Sequence, residues 1–169
     1  MKYRHLGNSG LEVSVIGLGT NNFGGRMEFK EAREVIFSAL DQGINLIDTA
    51  NIYSHGRSEE IIGRALADRR QESLIATKFG MVWEDGPHGH GGSRKHIMDS
   101  LEGSLRRLQT DHVDLYQMHQ QDPDTPIEET LRALDDAVTS GKVRYIGLSN
   151  FDPWRIADAQ WTAIHYGYR

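Results

Sequence analysis

Four polar or ionisable side chains stand where short apolar runs of the chain give out. Asp48 closes the run Ile44–Asp48, Lys78 closes Leu74–Lys78, His119 closes Val113–His119, and Tyr53 follows shortly after Asp48. Taken singly, each has a structural explanation. An aspartate after a strand caps the next turn, a strand-end lysine is usually solvated, and a lone tyrosine is an ordinary amphipathic loop residue. A single histidine is more often a hydrogen-bonded structural residue than a catalyst. Taken together, they explain one another. A carboxylate offsets the desolvation of an ammonium, and an ammonium favours phenolate on a neighbouring tyrosine. A free phenol ionises at about 10, and a cation beside it brings it toward the range useful to a general acid. An imidazole at the same edge can orient or polarise a carbonyl oxygen. The combined chemistry is delivery of a proton to a developing alkoxide. None of these groups supplies a hydride, so a redox cofactor is required.

The segments that must position these groups come in two alternating kinds. Val13–Gly19, Ile44–Asp48, Leu74–Lys78, Val113–His119 and Val143–Ser149 are continuous apolar runs, the pattern of strands buried on both faces of a parallel sheet. Between them lie helical faces: Ala32, Val35, Ile36, Ala39 and Leu40; Ile61, Ile62, Ala65 and Leu66; Ile97, Leu101, Leu105 and Leu108; Ile127, Leu131, Leu134 and Val138. Thr125-Pro126-Ile127-Glu128 reads as a capping box with proline at the first helical position, and Gly141 as a C-cap. Asp152-Pro153 opens a last helix carrying Ile156, Ala157, Trp161 and Ile164. Residues 1–12 are expected to form a hairpin around Asn8-Ser9-Gly10, and residues 13–169 five β/α units of one α/β domain. Such alternation demands right-handed crossovers and a helix-covered parallel sheet. An open doubly wound sheet and part of an eight-fold barrel both satisfy it. Eight units of this size need about 250 residues, so a barrel reading leaves roughly three units unaccounted for. In either case the strand ends carrying Asp48, Lys78 and His119 share one edge.

Composition narrows the function classes. The 169 residues are 38 % hydrophobic and 25 % charged, as in a soluble globular domain. No apolar stretch is long enough for a membrane span. A net charge of −5 offers no broad basic surface to nucleic acid. The absence of cysteine removes disulfides, thiolate zinc sites and a cysteine nucleophile together. The N-terminal MKYRHLGNSG has no apolar signal core, so the expected location is the cytoplasm. His88, His90 and His96 lie close in sequence, but histidines beside glycines are usually solvent-facing, and no metal is expected. Glu84–Gly92 reads as a mobile loop.

The segments Ile16–Thr20 (IGLGT), Asn45–Leu66 (NLIDTANIYSHGRSEEIIGRAL), Ala76–Gly80 (ATKFG), Ser104–Asp122 (SLRRLQTDHVDLYQMHQQD) and Gly141–Phe151 (GKVRYIGLSNF) resemble the aldo-keto reductases, in that family's order and spacing and over essentially the whole chain. The resemblance implies the first five units of a (β/α)8 TIM barrel with an N-terminal hairpin, and NADPH-dependent reduction of an aldehyde or ketone. It makes Tyr53 the general acid, Lys78 the cation that eases its ionisation, Asp48 the partner of Lys78, and His119 the group that orients the carbonyl. It gives Gly19, Thr20, Asn21, Asp48, Ser149 and Asn150 to the nicotinamide end of the cofactor. Trp83 resembles an aromatic lining the substrate pocket; the alternative is that it covers the barrel rim. The family's remaining strands carry a glutamine and an aromatic beside the nicotinamide, and basic residues for the cofactor phosphates; none of these matches here. Gly17-Leu18-Gly19 does not replace them, lacking the third glycine of a dinucleotide fingerprint. The alternative function is therefore a truncated, inactive or regulatory module. Unclosed apolar edges are expected on the first and fifth strands, and self-association through them is a further expectation. It is disfavoured as a closed barrel, because five strands plus five do not make eight.

Overall fold

A computed structural model describes residues 1–168. Strands β1 (Tyr3–His5) and β2 (Glu12–Ser14) pair antiparallel as a hairpin, Tyr3 opposite Ser14. The main sheet is parallel and follows chain order: β3 (Leu18–Gly19), β4 (Leu46–Asp48), β5 (Leu74–Phe79), β6 (Val113–Met118) and β7 (Val143–Leu148). Helices α1 (Phe29–Asp41), α2 (Arg57–Ala65), α3 (Arg94–Leu108) and α4 (Ile127–Thr139) connect successive strands, and α5 (Pro153–Tyr166) follows β7. This order of strands and helices is a partial TIM barrel. Among the described residues no helix is long and apolar enough to cross a membrane.

The run Val13–Gly19 is not one strand. Val13 and Ser14 are buried in the hairpin, Val15 and Ile16 are exposed at a bend, and only Leu18 and Gly19 join the sheet. An apolar run was here divided between two sheets, and the exposed bend marks the division. The hairpin consequently ends at Ser14 and not at residue 12. It is held to the sheet by Asn45, whose side-chain oxygen accepts from the Ser14 N–H at 2.8 Å.

Strands β5 and β6 are buried as their composition requires, whereas β7 buries only Val143 fully. Ile75, Phe79, Val113, Tyr116 and Met118 join Ile36, Ile62, Leu101 and Leu134 from the helices in one core. Phe79 and Tyr116 meet with ring centroids 4.7 Å apart. Helices α2 and α3 approach most closely at Gly63, where an added Cβ would lie 2.6 Å from the Arg107 and Leu108 carbonyl oxygens. Glycine is required there because main chain meets side-chain space.

Helix starts depart from the sequence pattern. Thr125 does not cap α4; its hydroxyl donates to Asp122 at 2.7 Å, and Pro126 takes the cap position. Asp152 makes no capping bond either, since its carboxylate accepts from Gln121. Helix α5 buries Ala159 and Thr162, and leaves Trp154, Ile156, Trp161 and Ile164 exposed. Trp154, Trp161 and Ile164 thus lie open to solvent, while Ile156 and Ala159 line a cavity with Ile146 and Leu148 of β7.

Candidate active site

Parallel pairing in register lines up the C-terminal strand ends. Gly19 stands opposite Asp48, Asp48 opposite Ala76, and Lys78 opposite Gln117. The rim so formed brings the four expected residues together. Lys78 is almost fully buried, and its Nζ donates to Asp48 Oδ2 at 2.7 Å, to the Thr49 carbonyl at 2.8 Å and to Tyr53 Oη at 3.4 Å. A buried ammonium needs such partners, because desolvation alone would cost several kcal/mol. His119 presents its ring edge-on to Tyr53, with centroids 5.8 Å apart. Burial, and then the neighbouring Lys78 charge, lower the His119 pKa, while Asp48 opposes them, so the neutral imidazole is favoured. Its Nδ1 is buried without a hydrogen-bond partner among the described residues.

Tyr53 owes its aim to an unusual turn. Residues Tyr53–Gly56 form a short 3₁₀ turn in which Ser54 (φ 48°), His55 (φ 55°) and Gly56 (φ 86°) are all left-handed. Only glycine adopts this region freely, and other residues give up on the order of 1–2 kcal/mol each. The neighbours must hold it in place.

The residues expected at a nicotinamide divide into two groups. Gly19 is exposed, and a Cβ built on it would meet nothing within 4 Å, so the rim is open there. Asn21 is exposed beside it. Asn150 is left-handed (φ 54°), and its amide donates to the His119 carbonyl at 2.8 Å and to Ser149 Oγ at 3.1 Å. This links the end of β7 to the residue carrying the imidazole. Thr20 differs. It is fully buried, donates from Oγ1 to the Asp48 carbonyl at 2.9 Å, and accepts from Ser58. Its hydroxyl is engaged with the main chain of Asp48 and with Ser58. Trp83 has its ring engaged elsewhere: it stacks on His55 at 4.5 Å and 3°, and Arg107 lies 4.7 Å over it.

Both ring nitrogens of His96 have partners within the protein. The residue is buried, with Nδ1 on the His88 carbonyl at 2.9 Å and Nε2 3.3 Å from Ser100 Oγ. The loop Glu84–Gly92 is tied at several points, including Trp83 N–H to the Gly89 carbonyl at 2.8 Å and Gly91 N–H to the Gly80 carbonyl at 3.0 Å.

Sequence reasoning missed a buried pair behind the tyrosine. Glu59 is fully buried; it accepts from Thr77 Oγ1 at 2.6 Å and from Arg107 Nε at 2.7 Å. A signal was present, since Glu59, Ile62, Gly63 and Leu66 share the spacing of one helix face.

The family model described as the aldo/keto reductase family matches residues 15–166. The aldo-keto reductase YhdN of Bacillus subtilis is 45 % identical over 157 residues, covering 89 % of this chain and 47 % of the relative. A probable voltage-gated potassium channel subunit beta of rice is 40 % identical over 164 residues, 94 % of this chain and 49 % of the relative. L-glyceraldehyde 3-phosphate reductase of Escherichia coli is 42 % identical over 162 residues, 92 % of this chain and 47 % of the relative. Among solved structures, an aldo-keto reductase of Bacillus halodurans in its holo form superposes with a TM-score of 0.85 at 41 % identity, over 94 % of this chain and 53 % of that one. The chain thus spans about half the length of the curated relatives it matches. With the match running from the hairpin's end almost to the last residue, the chain belongs to the aldo/keto reductase family of oxidoreductases.

Proposed function

We propose that this chain carries the proton-delivering part of an NADPH-dependent reductase that converts an aldehyde or ketone to an alcohol. The observation that carries the reading is the unbroken line from Asp48 through the buried Lys78 ammonium to Tyr53 Oη, with His119 at the ring's edge. In this reading Tyr53 gives its proton to the carbonyl oxygen, and Lys78 stabilises the phenolate left behind. Asp48 and the Thr49 carbonyl hold Lys78 in position for that task. Neutral His119 turns a ring N–H toward the carbonyl oxygen and fixes its approach. Bound NADPH supplies the hydride that these side chains lack. The fit rests on the open rim at Gly19 and on the amide and hydroxyl of Asn150 and Ser149 beside it. Ser149, Asn150, Gly19, Asn21 and Asp48 would hold the nicotinamide end, and Thr20 would support them from below. A small carbonyl compound is the partner expected at such a site, and a cytoplasmic setting suits it.

A second reading is favoured by the relatives described as potassium channel subunits: a module that binds nucleotide and a partner without turnover. One experiment separates the two. NADPH is titrated against tryptophan fluorescence, and reduction of a simple aldehyde is followed by loss of NADPH absorbance. The reductase reading expects turnover that Tyr53→Phe abolishes while cofactor binding is retained. Binding without turnover in the parent chain selects the module, and equal turnover in Tyr53→Phe removes Tyr53 from the mechanism.

A further inference from the structure

The left-handed turn that aims Tyr53 is enclosed by a set of contacts that no part of the proton-delivery scheme uses. They begin beside Lys78. Thr77, its neighbour on β5, donates to Glu59 on α2, and Glu59 accepts from Arg107 on α3. The Arg107 guanidinium lies over the Trp83 ring, and Trp83 lies flat on His55, two residues beyond Tyr53. Gly56 closes the set: a Cβ there would sit 2.7 Å from Arg107 Cδ and 3.2 Å from Trp83 Cη2. The route therefore starts next to the lysine and ends next to the tyrosine. It passes through a carboxylate with no solvent exposure, an ion pair and a stack within 3° of parallel.

The contact it frames is a marginal one. Tyr53 Oη and Lys78 Nζ are 3.4 Å apart, at the outer limit of a hydrogen bond, so a small rotation of the turn breaks it. The turn's own main-chain bonds are few: Tyr53 N–H to the Ala50 carbonyl at 3.1 Å, His55 N–H to the Ile52 carbonyl at 3.0 Å, and Arg57 N–H to the Tyr53 and Ser54 carbonyls. The contacts of His55 and Gly56 with Trp83 and Arg107 stand over the turn.

We propose that Trp83 and Arg107, anchored by Glu59, are positioning residues that clamp His55 and so hold Tyr53 in register with Lys78. The inference rests on the reading of Tyr53 as proton donor, but its test does not require turnover. 3-Fluorotyrosine is placed at position 53 of the full chain and its fluorine resonance recorded. In the parent, Lys78→Met shifts the resonance, because the two groups touch. In a Trp83→Ala background the same Lys78→Met change is expected to shift it by less than half as much, and Trp83→Phe, which keeps a stacking face, is expected to restore the shift. His55→Ala, at an exposed position, removes the other half of the stack and is expected to act like Trp83→Ala should that variant fail to fold. A full Lys78→Met shift in both backgrounds, or a parent resonance indifferent to Lys78→Met, overturns the clamp. Where the parent turns over, kcat of Trp83→Ala falls by up to about 10²-fold with KM nearly unchanged. A parent that never reduces a carbonyl, yet shows the background-dependent shift, would refute the reductase reading and leave the clamp standing.

Discussion

The rim above β4–β6 and the flank formed by β7 and α5 are built from the same β/α unit, yet they spend their side chains in opposite ways. At the rim, charged groups are buried and each finds a partner: Lys78 on Asp48, and Glu59 on Arg107 and Thr77. On the flank, apolar groups are exposed: Trp161 at 64 % and Ile164 at 71 %. Strand β7 has β6 on one side and no described strand on the other. Inside the rim, then, a polar group is tolerated because a neighbouring unit meets it. On the flank, the exposed apolar groups of α5 lie beside a strand edge that no described strand pairs.

The largest effect expected to sharpen this contrast is at the buried ion pair. Arg107→Met should cost about 3–5 kcal/mol by urea denaturation, since it strands a carboxylate that solvent cannot reach. The exposed pair Arg57–Glu28, at 3.2 Å, offers the control: Arg57→Ala should cost under about 0.5 kcal/mol. Next comes core against flank. Leu134 is fully buried under the sheet, and Leu134→Ala should cost about 3 kcal/mol. Trp161→Ser, although it removes a far larger side chain, should cost under about 0.5 kcal/mol. A comparable loss at Trp161 would break the comparison, because it would mean that the α5 face is covered in solution.

Much of this was legible in advance. The helical faces around Ile36, Leu101 and Leu134 and the runs Leu74–Lys78 and Val113–His119 announced a parallel sheet because their burial on both faces leaves no alternation. The rim residues were legible because each ended such a run. Three features were not. Val13–Gly19 contains no break in hydropathy, although the chain bends at Val15–Ile16 and changes sheets. Thr125 has the composition of a cap, but the Asp122 carboxylate three residues earlier claims its hydroxyl. Glu59 lies beside Glu60 and reads as part of a solvated acidic turn, and only its apolar neighbours at helical spacing betray its burial. In each case the deciding partner is distant in sequence or competes for the same atom.

The smallest effect to test is the rim's response to acid. Burial lowers the pKa of His96, and burial with the Lys78 charge lowers that of His119. A lowered folded-state pKa means that the unfolded chain takes up these protons first. Stability is therefore full above the ordinary histidine value of about 6.5 and is lost as pH falls from there through the folded-state values. The urea midpoint should drop between about pH 7 and pH 5, and His96→Gln should reduce that drop. An undiminished drop in the variant would place the proton uptake outside His96.

At Gly63, α2 touches the end of α3 with no side chain between them, and the ion pair behind Tyr53 spans the same two helices one turn away. A missing methyl group thus sets the gap across which carboxylate and guanidinium meet. The stiffness of the chemically active end is inherited, in part, from a position that has no chemistry of its own.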